Sequence, residues 1–248
     1  MAQLTTAELE LRIISALLLP MLASAVLFTG MTVALLVARA RLYGYRVYRP
    51  MLLNLALAWI PIISVAAALL YFLGVVETSR WAPLALLVIW CLFFPNSTYL
   101  ITEFHHLKDD VTRVPFWFDT ITILSLALCG ALLGAFSLLL AQHVLELYMP
   151  WPLTWALIVG YLFVSNLGIY IGRFLRFNSW DVVTNPVRLI RQVWAELARP
   201  ETRRGMLLFA SVFTAFLASF YLFVCSAIEP AAMLLRVAIL QQIGQPLP

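Results

Sequence analysis

Two long apolar segments of this chain are joined by FPNSTYLITEFHHLKDDVTRVPFWFD, which runs from Phe94 to Asp119. The stretch begins with a proline and an asparagine inside an apolar run, continues with carboxylates and histidines, and returns to an apolar segment through aromatic residues. Trp117 and its aromatic neighbours are typical of an anchor at a membrane interface. The stretch therefore predicts a polar turn between two helices that cross a membrane.

The rest of the chain supports a membrane location. Of its 248 residues, 63% are hydrophobic and only 11% are charged, whereas about a quarter of the residues in a soluble domain are charged. A membrane barrel would show alternating segments of about ten residues, but the apolar runs here are unbroken. Each is near or above the roughly 20 residues that a helix needs to cross a bilayer. The predicted fold is an all-α, polytopic membrane bundle forming one domain over residues 1–248. Its six transmembrane helices are expected at Ile13 to Ala38, Met51 to Val76, Trp81 to Thr102, Thr120 to Ala141, Leu153 to Ile171 and Gly205 to Ile228.

The basic residues predict the orientation in the membrane. Thirteen of the sixteen lie in three connectors, Arg39 to Pro50, Glu103 to Asp119 and Gly172 to Arg204. Short loops rich in Lys and Arg stay in the cytoplasm, so both termini are expected outside. Topology and attraction to anionic lipid explain the net charge of +4 better than nucleic-acid binding does.

Two prolines are expected to bend their helices. Pro61 lies three turns into the second helix, where the loss of a backbone hydrogen bond bends a helix. Asn54, one turn inside the same helix, is predicted to bond a neighbouring helix rather than a ligand. Pro95 leaves a carbonyl one turn earlier without its donor, and the adjacent Asn96, Ser97 or Thr98 is expected to supply one.

Amphipathic periodicity predicts one further helix, from Val187 to Leu197, lying on the inner membrane surface between the fifth and sixth spans. The tail from Pro230 is expected to form an interfacial segment on the outer side.

The charged residues of the turn are the candidate site. If the third helix continues past Thr102, then Glu103, His106 and Asp110 share one face. Asp119 is expected to be the N-cap of the fourth helix. Because the connectors alternate sides, these residues are predicted to meet a second polar stretch, with Arg173 paired to Glu103 or Asp119. The members of that second stretch are Arg173, Arg176, Asn178 and Asp181.

Four hypotheses account for this constellation. The first is a structural network of ion pairs. The second is a pocket for an anionic headgroup or another phosphate-bearing ligand, in which Arg173 and Arg176 hold the anion and His106 with Glu103 moves a proton. Asn96, about 10 Å deeper, would line its floor.

The remaining two hypotheses are less well supported. A metal site from Glu103, His106 and Asp110 or Asp119 has only half of the paired Glu-x-x-His pattern, and the nearby arginines oppose a cation. Transport around broken helices would require two matching halves, which the chain lacks. Neither a hydrolase nucleophile motif nor a CxxC spacing is present.

At these stretches the sequence resembles a bacterial family of multi-pass membrane proteins, domain of unknown function 1361. The resemblance covers about Pro50 to Trp194, although the family usually has Asp at Glu103 and Ala-Pro at 97–98. It implies an integral membrane protein of the bacterial inner membrane and no established activity. The matching residues are Asn54-Leu55, Ala58-Trp59-Ile60-Pro61, Pro95-Asn96, Tyr99, Thr102-Glu103, His106-Leu107, Trp117-Phe118-Asp119, Gly168-Ile169-Tyr170, the run from Gly172 to Asp181, and Asn185-Pro186.

The leading functional hypothesis is a membrane protein whose polar cluster either fastens the bundle or binds an anionic lipid or partner protein. The alternative is a membrane-embedded enzyme acting on a phosphate-bearing lipid or carrier, with His106, Glu103 and Asp119 as its catalytic groups. Arg173, Arg176, Asn178, Asp181 and Asn96 would bind its ligand. A small transporter is the third hypothesis. No cofactor and no metal are expected, the bilayer is the expected partner, and the sequence does not indicate an oligomeric state.

Overall fold

The computed structural model describes residues 6–44, 49–72, 81–103, 114–174 and 186–242. Of the predicted site residues, His106, Arg176, Asn178 and Asp181 lie outside the described residues, as does Asp110 of the metal hypothesis. Glu103, Asp119, Asn96 and Arg173 lie within them.

Helices make up nearly all of the described chain, and no strand occurs in it. A short 3₁₀ turn over 100–103 follows the fourth helix. The helices are α1 (Thr6–Tyr43), α2 (Arg49–Leu57), α3 (Ile60–Phe72), α4 (Ala82–Tyr99), α5 (Phe116–Glu146), α6 (Trp151–Phe174), α7 (Pro186–Leu197) and α8 (Pro200–Gln242).

Six helical segments are long and apolar enough to cross a membrane, as the sequence predicts. Five of them are single helices, and the second span is formed by α2 and α3 together. The chain is thus a multi-pass membrane protein with an all-helical fold.

Two compact units make up the chain. The larger comprises Met1–Leu147 and Leu222–Pro248, and the smaller comprises Tyr148–Tyr221. In the larger unit, α5 is the most buried of the spans. Small residues along it allow α1, α3 and α4 to pack closely around it, as is common where membrane helices associate.

Polar side chains link α1 and α5 inside the apolar part of the larger unit. Thr32 and Ser125 are both buried, and their hydroxyl oxygens are 2.6 Å apart. One turn earlier on α1, the hydroxyl of Thr29 lies 3.3 Å from the sulfur of Cys129. Since lipid offers no hydrogen bonds, hydroxyl groups satisfied by a neighbouring helix help to fix how the helices pack.

The second span is interrupted at Ala58 and Trp59, just before Pro61. The helix is therefore broken close to Pro61, where the sequence predicted a bend, since proline lacks the N–H group that would continue the ladder. The hydroxyl of Ser97 on α4 donates to the Ala58 carbonyl at 2.9 Å. Ala58 and Ser97 are both completely buried, so the interruption is sealed by a neighbouring helix rather than by water.

The donors predicted to compensate for Pro95 act elsewhere. Asn96 donates to the Phe93 carbonyl at 3.2 Å and Thr98 to the Pro95 carbonyl at 3.3 Å, while Ser97 reaches another helix. Pro95 removes the backbone donor to the carbonyl of Cys91, four residues earlier. None of the three side chains donates a hydrogen bond to that carbonyl, so this prediction is wrong. Asn96 and Thr98 each bond a carbonyl three residues earlier in α4, and Ser97 bonds a carbonyl of the second span.

Close approach of α4 and α5 depends on Gly130. A Cβ atom at this position would overlap the carbonyl oxygen of Ser97 and lie 2.7 Å from the Cβ of Leu100. Gly134, one turn later, would place its Cβ 3.4 Å from a methyl group of Thr98, which is an ordinary contact. The closest approach of α4 and α5 is therefore at Ser97, the residue whose hydroxyl bonds the Ala58 carbonyl.

In the smaller unit, α6 is hydrogen-bonded to the first part of α8. Asn166 is completely buried, and its amide donates to the hydroxyl of Thr214 at 2.9 Å. The rings of Trp155 and Tyr221 also meet, with centroids 5.5 Å apart.

Two predicted boundaries need correction. Helix α5 begins at Phe116, with Pro115 as its N-cap, so Asp119 lies in the first turn and is not the N-cap. Helix α8 continues through Pro230 to Gln242, so the tail does not begin a separate segment at that proline.

We predict that Gly130→Ala destabilises the protein and that Gly134→Ala does not. Overpacking a tight contact commonly costs about 1 to 3 kcal/mol, and here the backbone of Ser97 would have to move. Thermal unfolding of both variants in detergent should show a lower midpoint for Gly130→Ala alone. Equal midpoints would contradict the close approach of the two helices.

Candidate functional site

Four polar residues gather where helices of the larger unit begin or end: Arg39, Asn54, Glu103 and Asp119. We refer to them as the polar end of this unit. They belong to α1, α2, the turn after α4, and α5. Because successive spans cross the membrane in opposite directions, these four positions lie at the same membrane side.

Asp119 is held by Arg39. The Nε atom of Arg39 is 2.8 Å from the Oδ1 atom of Asp119. The two side chains are 14% and 13% exposed, so the ion pair is largely shielded from solvent. The sequence predicted Arg173 as a partner for Asp119 or Glu103. For Asp119 that prediction is wrong, because its carboxylate is paired with Arg39.

The position of Arg39 follows from the packing of α1 against α5. Arg39 lies seven residues after Thr32, which is two helical turns, and Asp119 lies six residues before Ser125. The ion pair therefore continues the row of contacts that Thr32 and Ser125 make deeper in the bilayer. Sequence analysis assigned Arg39 to topology only, although its spacing from Thr32 indicated a shared helix face.

Glu103 is held by Asn54. Its carboxylate is only 2% exposed, and the Nδ2 atom of Asn54 donates to its Oε1 atom at 2.9 Å. The prediction that Asn54 bonds a neighbouring helix is confirmed. A buried carboxylate is costly unless it is hydrogen-bonded, and a hydrogen bond to a charged group contributes more than a neutral one.

The remaining described candidates are Asn96 and Arg173. Asn96 is partly buried, and its amide nitrogen donates to a backbone carbonyl within its own helix. Arg173 lies in the last turn of α6, in the smaller unit, where a cation is favoured by the helix dipole. Its predicted companions Arg176, Asn178 and Asp181 lie beyond the described part of the chain.

Within the described residues, no group of three or more His, Cys, Asp or Glu side chains could hold a metal ion. The metal hypothesis of the sequence analysis includes His106 and Asp110, for which the structure gives no position. What the described residues provide is two hydrogen-bonded carboxylates, each held by a side chain from another helix.

A family model described as "Protein of unknown function (DUF1361)" matches residues 53–220. No curated protein and no solved structure matches the chain. The matched region begins close to the expected Pro50 and ends well beyond Trp194. It therefore includes the first half of α8, which the sequence analysis left outside the resemblance.

We predict that Arg39→Ala lowers stability and that Arg41→Ala, two residues away on the exposed side of α1, does not. Removing one partner of a fully buried ion pair costs about 3 to 5 kcal/mol. The slight exposure of Arg39 should place its cost at or below the lower end of that range. The measurement is the thermal unfolding midpoint in detergent at low and high salt. If Arg41→Ala were equally destabilising, the loss would reflect charge in general and not this ion pair.

Proposed function

We propose, for a chain that belongs to the DUF1361 family, that the polar end of the larger unit fastens membrane helices to one another. One observation carries this proposal: both carboxylates, Glu103 and Asp119, are largely buried and each is bound by a side chain from a different helix. On this account the polar end is a structural feature of a membrane protein that is not an enzyme.

The two pairs suit this role because each lies at the end of an antiparallel helix contact. Arg39 and Asp119 close the contact of α1 with α5, and Asn54 and Glu103 close that of α2 with α4. Hydrophobic burial does not drive helices together in lipid, so polar contacts at the ends have a large influence on how the spans associate. We place this end in the cytoplasm because the basic connectors favour that side.

An anionic lipid headgroup is the ligand that we propose for the arginines at and after the end of α6. The arginines Arg173 and Arg176 are three residues apart, and the guanidinium group binds phosphate in a two-pronged geometry. Arg173 at the end of α6 supports this assignment, since it lies where a membrane-spanning helix reaches the headgroup region.

A membrane-embedded enzyme is the second candidate, and the hydrogen bond that positions the Glu103 carboxylate favours it. A carboxylate fixed by an amide from another helix is suited to acid-base chemistry on a phosphate-bearing lipid. If the protein is such an enzyme, it should turn over a phosphate-bearing lipid such as phosphatidic acid, and Glu103→Gln should abolish that turnover. If Glu103 only fastens helices, the parent protein should show no turnover.

Transport is favoured only by the interruption at Ala58 and Trp59. Broken helices in transporters leave backbone groups available to a substrate. Here the Ala58 carbonyl accepts a hydrogen bond from Ser97 instead, which supports a structural role for the interruption.

We predict that Asn54→Leu destabilises the protein and that Asn96→Leu, its matched control, does not. The first substitution removes a donor to a buried carboxylate, a bond worth about 1.5 to 3 kcal/mol. The second removes only a contact within one helix. Thermal unfolding of both variants tests the fastening role, and equal stability of Asn54→Leu and the parent would overturn it.

We predict that Arg173→Ala lowers the amount of co-purified anionic phospholipid, measured by mass spectrometry, because the substitution removes a guanidinium group that can bind phosphate. A large loss of stability with no lipid in the parent would show that Arg173 is structural and would contradict the ligand proposal.

A further inference from the structure

Helix α7 is tied closely to the membrane-spanning helix that follows it. It ends at Leu197 and α8 begins at Pro200. Backbone hydrogen bonds continue through the connection, from the amide of Ala198 to the Trp194 carbonyl at 2.9 Å and from that of Arg203 to the Arg199 carbonyl at 3.0 Å. Because α8 enters the apolar span within a few residues, the end of α7 must lie near the membrane surface.

One side of α7 carries an unusual exposed stripe. Val187 and Trp194 are each 69% exposed, and Arg191 between them is also exposed. Spacings of four and three residues place all three on one face. We refer to Val187, Arg191 and Trp194 as the α7 stripe. Two large apolar side chains exposed on the same face of one helix are suited to contact with an apolar surface.

The chemistry of the α7 stripe identifies the partner. Tryptophan is enriched at membrane interfaces, where its ring is apolar and its N–H group meets the headgroups. An arginine flanked by apolar anchors can place its alkyl stem along the lipid and its guanidinium at the phosphate level. This combination is typical of helices that lie in the interface plane.

The charge around the α7 stripe selects anionic lipid. At the start of α8, Arg203 and Arg204 are both exposed. Two acidic residues lie nearby: Glu196 is paired with Arg199 at 3.2 Å, and Glu201 is exposed in the first turn of α8. Residues 186–204 hold five arginines against these two carboxylates, so the segment remains positive. Each basic residue near an anionic membrane surface contributes about 1 kcal/mol of attraction.

We propose that the α7 stripe docks on the surface of an anionic bilayer, with Trp194 and Val187 in the headgroup boundary and Arg191 on lipid phosphate. The sequence predicted only that α7 is amphipathic and lies at the surface. The structure adds three residues that are exposed among those whose burial it describes, and from their chemistry we infer the lipid class. This proposal does not rest on the fastening role of the polar end or on a lipid bound at Arg173.

Site-specific fluorescence quenching tests the proposal. In a full-length chain carrying Cys91→Ala, Cys129→Ala and Cys225→Ala, a bimane probe is attached after Trp194→Cys or, as the control, after Gln192→Cys. Position 192 lies about 160° around the helix from Trp194, on the other side of α7 from the stripe. Each protein is reconstituted in vesicles of phosphatidylcholine, or of an equal mixture with phosphatidylglycerol, in which the acyl chains are brominated.

We expect the probe at 194 to be quenched about twofold more than the probe at 192 in the mixed vesicles, and less in phosphatidylcholine alone. Adding Arg191→Gln should reduce the difference between the two lipids, with Arg203 and Arg204 accounting for what is left. Equal quenching at 194 and 192 would overturn the docking proposal. Equal quenching in both lipids would overturn its anionic selectivity, and a dimer cross-linked through residue 194 would identify a second copy as the partner instead.

A second measurement needs no cysteine replacement. Hydroxyl-radical oxidation of Trp194 in the unmodified chain, read by mass spectrometry, should be lower in the mixed vesicles than in phosphatidylcholine alone. Unchanged oxidation would contradict the proposal even if the cysteine-free variant failed to fold.

Discussion

The hydrogen bond from Ser97 to the carbonyl of Ala58 is the contact on which the arrangement of the larger unit depends. The second span is interrupted just before Pro61 at Ala58 and Trp59, and lipid could not satisfy the Ala58 carbonyl there. Ser97 satisfies it from α4, and the absence of a side chain at Gly130 lets α5 approach the same point. The second span, α4 and α5 thus meet around the Ala58 carbonyl and the residue that bonds it.

The polar end follows from this arrangement. Four residues before Ala58, Asn54 faces the same neighbour, and six residues after Ser97 the chain places Glu103 within reach of its amide. On the other flank of α5, the row that begins with Thr32 and Ser125 ends in the pair of Arg39 with Asp119. Each carboxylate accepts a hydrogen bond from the helix against which its own segment already packs, so the charges complete contacts that apolar packing begins.

Much of the fold could be predicted from the sequence because apolar length and proline position act locally. The six spans, the bend at Pro61 and the helix after Pro186 depend on their own segments. The partner of Asp119 could not be predicted in this way, since periodicity indicates a face of α5 but not the helix that meets it. The start of α5 was also misplaced, because the aromatic residues after Pro115 join the helix instead of preceding it. The partner of Glu103 was predicted in part, since Asn54 was expected to bond a neighbouring helix although the acceptor was not named.

The most direct test of the account is a double-mutant cycle on Arg39 and Asp119, with Arg39→Ala, Asp119→Ala and the pair unfolded in mixed micelles. If the ion pair fastens α1 to α5, the losses of the single variants will not add, and the coupling free energy will be about 1 kcal/mol or more. A coupling near zero, with the double variant as unstable as the sum of the two, would show that these residues act separately and would contradict the fastening role.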